Sequence, residues 1–312
     1  MKNNAILYLV LPCYNEEEGI KETIFRLTNK MNELIDKKII SNKSKMVFID
    51  DGSKDNSWDI IKKISKNNKY IRAIKFSSNR GHQIAVLAGL HYSTNKCDVT
   101  ISLDADLQQD INAIERFMKK YYEGNEIVYG VRNSRKTDGF FKKVTSQMFY
   151  KLMHLFGCNI ITNHADYRLV SNKVLKEFIK YNEDSVFLRG LFPTMGYKND
   201  IVYFDVYDRF AGKSKYTLKK MLKLAKDGIT SYSIKPLQMI FSFGMFLAII
   251  SIILLLQYIF LKSKIMFIFG IVFLPTSLLL LGMGIIGIYI GQIYTEVKNR
   301  PKYLIEETIN EE

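Results

Sequence analysis

Short, largely apolar runs recur along the amino-terminal part of this chain, and each breaks off into polar residues. Residues 5–11, 46–49, 71–76, 99–103 and 126–130 have strand length, and the first run is continuously apolar, the pattern of strands buried on both faces of a parallel sheet. Pro12 is expected to stop the first strand. Helix-like stretches fall between the runs. One follows Asn15, a candidate cap, places Glu16, Glu17 and Glu18 where the positive end of a helix favours acids, and reaches about Ile35. Another opens at Asn79-Arg80-Gly81, holds His82 and Gln83 in its first turn, and offers Ala85, Ala88 and Gly89 as a small-residue face. A third, amphipathic, covers residues 111–122. This alternation predicts an α/β fold with a doubly wound, mostly parallel sheet. Such sheets bind ligands in the crevice outside the carboxyl ends of their strands, so the residues that follow each run matter most.

The fourth run ends in Asp104-Ala105-Asp106-Leu107-Gln108. Two carboxylates so closely spaced repel each other unless a hard cation lies between them. Oxygen-only donors favour Mg²⁺ or Mn²⁺, whose shell substrate phosphates commonly complete. Taken alone, such a pair caps a following helix at least as often as it binds metal; its neighbours change that balance. The second run ends in Asp50-Asp51-Gly52-Ser53, where an aspartate can accept hydrogen bonds from a base or ribose, although turn chemistry alone accounts for the residue types. The fifth ends in Val131-Arg132-Asn133-Ser134-Arg135-Lys136. Acids, acids and then bases therefore surround one crevice, which suits a diphosphate ligand bridged by a divalent ion.

Beyond Gly139 the rhythm is lost. Residues 140–156 read as an aromatic-rich helix, Asp166-Tyr167-Arg168-Leu169 as a short strand, residues 172–181 as a helix and residues 201–207 as a strand. Arg209 and Lys215 follow. In residues 218–229, Leu218, Met221, Leu222, Ala225 and Ile229 keep helical spacing while Lys219, Lys220, Lys223 and Lys226 crowd the rest. A basic amphipathic helix of this kind lies on an anionic membrane surface; a solvated helix packed on the domain is the plainer alternative. Two uncharged stretches come next, residues 236–261 and 265–294, each longer than the ~20 apolar residues needed to cross a bilayer. Only Lys262-Ser263-Lys264 separates them, which predicts a hairpin with both flanks on one side, and the basic flanks make that side cytoplasmic. Gly282, Gly284, Gly287 and Gly291 allow close helix contact, within the hairpin or between protomers of a homo-oligomer.

The net charge of +14 calls for an anionic partner. The excess lysine lies beside the membrane stretches and within no recognisable nucleic-acid module, so nucleic acid is not expected. Cys13, Cys97 and Cys158 are odd in number and widely spaced, which points to a reducing compartment. The histidines show no zinc-ligand spacing and read as ordinary polar or core residues. The start of the chain lacks the apolar region of a signal peptide, so the catalytic part is expected to stay on the side where it is made.

Taken in order, Leu11-Pro12-Cys13-Tyr14-Asn15-Glu16, Asp50-Asp51-Gly52-Ser53, Asn79-Arg80-Gly81 with Ala85 and Gly89, and Asp104-Ala105-Asp106-Leu107-Gln108 resemble the family 2 glycosyltransferases of GT-A fold. Gly130-Val131-Arg132, Asp166-Tyr167-Arg168-Leu169, Arg209 with Lys215, and the hairpin ending in Lys298-Asn299-Arg300-Pro301 are most similar to the polyprenyl-phosphate glycosyltransferases. That group includes the bactoprenol glucosyltransferases and dolichol-phosphate mannosyltransferases. The resemblance implies that Pro12, Tyr14, Glu16, Ile49 and Asp51 line a nucleoside site, which Asp104 also faces. It implies that Asp104, Asp106 and Gln108 hold Mg²⁺ or Mn²⁺, and that Arg132, Arg209 and Lys215 bind phosphates. Asp166 and Arg168 are implied near the reacting sugar, with Asp104, Asp106, Asp166 and Arg132 as the catalytic set.

The implied activity is inverting transfer of a hexose, UDP-glucose being the leading donor, to a polyprenyl phosphate at the cytoplasmic membrane face. The corresponding layout is a catalytic domain at residues 1–210, a juxtamembrane segment at 211–235, spans at 236–261 and 265–294, and a cytoplasmic tail at 295–312. Cys13 and His82 depart from the commonest pattern, with no chemical consequence expected. A processive polysaccharide synthase would carry a Q-x-x-R-W box, whereas the only tryptophan, Trp58, comes far too early. A non-catalytic membrane-anchored binding protein would show degraded acidic or basic positions, and none is degraded here.

Overall fold

Strand β1 (Leu7–Cys13) is buried at every residue, because it lies in the middle of a sheet covered on both faces. In the computed structural model, which describes residues 4–133, 164–181, 188–207, 264–298 and 300–310, β1 pairs in parallel with β2 (Lys45–Asp50) and β4 (Val99–Ser102). Strand β2 pairs in parallel with β3 (Ile71–Phe76). The odd-numbered β1 side chains Leu7, Leu9 and Leu11 pack in one apolar cluster with α1 (Ile20–Asp36), α2 (Ser57–Ser65) and α4 (Ala113–Tyr122). On the other face Tyr8, Val47 and Ile49 pack with Ala85 and Ala88 of α3 (His82–Ser93).

Gly89 lets α3 sit close to that face: a Cβ there would lie 2.3 Å from Val10 Cγ1 and 3.2 Å from Ile49 Cγ1. Gly89→Ala is therefore expected to destabilise the protein by about 1–2 kcal/mol, overpacking outweighing the gain in helix propensity. Thermal unfolding checks this; an unchanged midpoint would show that Val10 moves aside freely.

Pro12 does not stop β1, which continues to Cys13. Val10 O accepts from Leu103 N and Cys13 O from Asp51 N, so alternate residues of β1 turn their backbone groups to β4 and β2 in turn. Pro12 faces the β4 side, where β4 has already ended at Ser102, and its missing N–H leaves no ladder bond unmade. Asn15 is not the cap of α1, whose N-cap is Gly19; its φ is +51° and its side-chain oxygen accepts from Lys54 N.

The sheet is mixed: among the described strands four pairings are parallel, as expected for most of the sheet, and three are antiparallel, which the expectation did not place. Its order is β7-β5-β6-β4-β1-β2-β3-β8, with β5 at Ile127–Arg132, β6 at His164–Ser171, β7 at Asn199–Phe204 and β8 at Ile305–Ile309. Strand β6 runs antiparallel to both β4 and β5, and β8 antiparallel to β3. The insertion of β6 brings its first residues to the edge where β4 ends. Strand–helix rhythm carries no sign of it, because the partners are chosen by pairing across long sequence separations. The last segment, expected as a tail, adds β8 to the sheet edge. Two short helices, α5 (Asn172–Phe178) and α6 (Leu188–Thr194), complete the described part of this unit.

The chain divides into two units, residues 1–147, 160–217 and 301–312 in one and residues 148–159 and 218–300 in the other. The described part of the second unit is helix α7 (Lys264–Lys298), 35 residues with Pro275 inside it. Among the described residues no helix is long and apolar enough to cross a membrane. A methyl group added at Gly284, Gly287 or Gly291 would meet nothing within 4 Å. The helix expected at residues 140–156, the basic helix at 218–229, the uncharged stretch at 236–261, Cys158, Arg209 and Lys215 lie outside the described residues.

Candidate active site

Past Ser102 the chain keeps an alternating course. Leu103, Ala105, Leu107 and Gln109 are buried while Asp104, Asp106 and Gln108 are half-buried, so both acids and the Gln108 amide stand on the open side. The loop is held from several directions. Thr23 Oγ1 donates to Ala105 O at 2.7 Å, and Tyr207 N donates to Gln108 O at 2.9 Å. Leu107 has a φ of +59°, a left-handed conformation that costs energy for a branched residue and clusters at functional sites. Gln109 fixes Asp104: its Nε2 donates to Asp104 Oδ2 at 2.8 Å, and its Oε1 accepts from Asp104 N at 3.1 Å. Asp106 Oδ1 accepts from Gln108 N at 3.1 Å.

Asp166, on antiparallel β6, joins this edge through His82. The imidazole Nε2 lies 3.6 Å from Asp104 Oδ1 and 3.5 Å from Asp166 Oδ2. Arg189, from α6, grips Asp166 with both prongs, Nε to Oδ1 at 3.0 Å and Nη2 to Oδ2 at 2.8 Å. Gln83 Nε2 donates to Asp166 Oδ2 at 3.4 Å, while Gln83 Oε1 accepts from Leu188 N at 3.3 Å, so the first turn of α3 ties α6 to the acids.

These contacts set the charges. Burial raises the Asp104 carboxyl above its ordinary range; the His82 charge opposes the rise, Asp106 and Asp166 add to it, and Arg132 opposes it. Asp166 goes the other way. Burial would raise it, but the Arg189 charge, the His82 hydrogen bond and the Arg189 hydrogen bonds hold it well below the usual carboxylate range. Burial disfavours charge on His82, yet the Asp166 hydrogen bond and the charges of Asp104 and Asp166 outweigh burial and the opposing Arg189, raising its pKa to about 9. Because that value exceeds the 6.5 of a free histidine, the stabilisation is complete below pH 6.5 and is lost as pH rises towards 9. Metal-free protein should therefore melt at falling temperatures across that window, with His82→Gln flattening the slope. Equal slopes in the two proteins would refute the pairing.

The other expected residues divide. Arg132 ends β5, and its charge reaches Asp104. Tyr14 and Glu16 are half-buried beyond β1. Pro12 is buried, and Ile49, 0% exposed, packs beneath α3. Asp51 is 3% exposed and accepts from Arg80 N at 2.6 Å and Gly81 N at 2.8 Å, the turn chemistry that its residue type allows. Arg168 is 2% exposed, with its guanidinium 4.6 Å from the Phe192 ring centroid, a core position rather than a crevice one. Cys13 and Cys97 are buried free thiols, and burial, with Asp50 next, raises Cys13 well above the ordinary thiol range. His82 corrects the expectation that it has no chemical consequence. Gln109 and Arg189 escaped the sequence reading; the signal for Gln109 was a second amide beside the acids, while Arg189 left none.

The donor set fits a divalent cation. Asp104, Asp106 and Gln108 offer oxygen donors on the open side, and Asp106 and Asp166 each add negative charge that acts on Asp104. Among the described residues no three His, Cys, Asp or Glu side chains converge as a complete metal cluster, so further donors would come from elsewhere, as substrate phosphates do for Mg²⁺.

Residues 8–179 match the family model described as Glycosyl transferase family 2. The chain belongs to glycosyl transferase family 2. It is accordingly a transferase, and its mixed α/β sheet with acids at the strand ends is the GT-A arrangement that the resemblance implied. This family 2 chain is 47% identical over 312 residues to "Uncharacterized glycosyltransferase YkoT" of Bacillus subtilis (strain 168), covering 98% of this chain and 92% of that protein. It is 34% identical over 316 residues to the "SfII prophage-derived bactoprenol glucosyl transferase" of Shigella flexneri, covering 96% and 97%. A "Prophage bactoprenol glucosyl transferase homolog" of Escherichia coli (strain K12) is 33% identical over 307 residues, covering 96% and 97%.

Proposed function

We propose that this family 2 glycosyltransferase moves a hexose, with inversion, from a nucleotide-diphosphate sugar to a polyprenyl phosphate at the cytoplasmic face of a membrane. UDP-glucose is the leading donor. The observation that carries the reading is the gathering of Asp104, Asp106 and Asp166 beside His82, Arg132 and Arg189 at one sheet edge. Relatives named for bactoprenol glucosyl transfer, alike over nearly the whole chain, support the acceptor. The uncharged stretches at residues 236–261 and 265–294 support a membrane hairpin, with residues 211–235 at its surface.

Asp104 and Asp106, with Gln108, would hold Mg²⁺ or Mn²⁺, which neutralises charge on a departing diphosphate. Arg132, with Arg209 and Lys215, supplies cationic donors to donor or acceptor phosphates. An acceptor phosphate oxygen attacks the anomeric carbon, a new C–O bond forms, and the bond to the nucleotide diphosphate breaks on the opposite face. The nucleophile is already ionised near neutral pH, so no strong base is needed. Asp166 agrees with that: a carboxylate held so far below neutrality is a poor proton acceptor, and it serves as a fixed negative charge. Positioning and charge neutralisation therefore carry most of the barrier lowering.

The test is one panel of purified protein, undecaprenyl phosphate, Mn²⁺ and a set of nucleotide sugars, with products identified by mass. A hexosyl polyprenyl phosphate from one donor is expected. Nucleotide release with free sugar and no glycolipid, across every donor, would overturn the acceptor.

A further inference from the structure

We propose that the carboxyl-terminal strand β8 forms one wall of the pocket that holds the donor's nucleobase, with Glu306 as its polar edge. This rests on the reading of the donor as a nucleotide sugar. A cavity of about 400 Å³ opens at the carboxyl ends of β2 and β3, walled by Tyr14, Ser53, Lys54, Lys75, Asn79 and Glu306 among others. That volume is within the range of small-molecule sites.

Glu306 reaches this cavity through an irregularity in the pairing. Lys75 pairs with Glu307 and Phe76 with Ile305, so Glu306 is an extra residue on β8, a bulge of the kind that re-aims a side chain beside a site. Its carboxylate lies 3.1 Å from Lys75 Nζ. The strand that carries it is pinned along its length. Tyr303 stacks on Phe76 with centroids 4.9 Å apart and planes 15° from parallel. Ser77 N donates to Leu304 O at 3.0 Å, and Trp58 Nε1 donates to Glu307 Oε2 at 2.8 Å. The opposite wall is equally fixed. Gly52, at φ +68°, brings its backbone so close to the loop after β3 that a Cβ would lie 2.7 Å from Ser78 C, and Asp51 ties the same loops through Arg80 N and Gly81 N.

The lining combines a phenol ring, hydroxyls, an amide, two ammonium groups and a carboxylate, and it has no aliphatic stripe for a prenyl chain. Glu306 offsets the charge of Lys75, which makes the pocket a poor second diphosphate site and a fit for a flat heterocycle with hydrogen-bonding edges. Position agrees. In the order β4-β1-β2-β3, β2 and β3 lie two and three strands from the acids of β4. At strand spacings of about 4.8 Å that is about 10–14 Å, the reach of an extended nucleotide from diphosphate to base.

Equilibrium binding of UDP, GDP and inorganic diphosphate to the full-length protein, with Mn²⁺ present, tests the assignment in wild type, Glu306→Ala and Glu306→Gln. Glu306→Ala should weaken the preferred nucleotide by about five-fold, the worth of one lost hydrogen bond. Glu306→Gln, which swaps an acceptor for a donor, should change the UDP-to-GDP preference, and inorganic diphosphate should bind all three proteins alike. Unchanged nucleotide affinity and preference in both variants, or an equal loss for inorganic diphosphate, would overturn the proposal. Wild-type protein that binds neither nucleotide would overturn the nucleotide-sugar reading itself.

Discussion

Asp106→Asn should abolish sugar transfer while leaving the protein folded. Asparagine keeps the side-chain oxygen that accepts from Gln108 N at 3.1 Å, so the loop loses little. What disappears is one of two carboxylates on the open side of the strand-end loop. Stabilisation of charge on a departing diphosphate is worth several kcal/mol, so turnover should fall by about 10²-fold or more. Initial rates with lipid phosphate measure the loss, and a melting curve shows that the fold survives. A variant that keeps a tenth or more of wild-type turnover would discredit the metal assignment.

Arg189→Ala should cost nearly as much by a different route. The guanidinium and the Asp166 carboxylate are 18% and 11% exposed and share two bonds, of 3.0 and 2.8 Å. Truncation leaves the Asp166 carboxylate with His82, which it shares with Asp104, as its remaining close cation and removes the two shortest bonds that hold it in place. Breaking a largely buried pair costs about 3 kcal/mol, and misplacement of a site carboxylate costs about 10²-fold in rate. Arg189→Lys restores a point charge without the planar fork, so it should recover stability more fully than turnover. Asp166→Asn added to Arg189→Ala should also regain stability, because no unpaired charge remains, while activity stays low. Arg189→Ala turning over at half the wild-type rate or better would show that the grip is incidental.

Much of the frame was legible in the residues alone. The run at 71–76 is β3 residue for residue, and the runs at 46–49 and 99–103 fall within a residue of β2 and β4. Gly89 was marked as a close-packing position, and it sits against Val10. These features are local: burial on both faces of a strand demands a continuous apolar run, and a helix turning on such a sheet needs a small-residue face. Pro12, inside β1, is the opposite case. Whether a proline ends a strand depends on which neighbour its missing N–H would face, and that neighbour is β4, far along the chain.

By itself the sequence determined the strand–helix order, the acids at the strand ends and membership of glycosyl transferase family 2, because burial pattern and motif spacing are written locally. Only the tertiary structure decided that β6 enters antiparallel beside β4, that Asp166 thereby meets Asp104 through His82, that Arg189 holds it, and that β8 closes the sheet edge. Those outcomes depend on register and on hydrogen bonds such as that of Gln83 with Asp166, 83 residues apart. Pairings of that length are selected by the folded whole and leave no periodic trace in the chain.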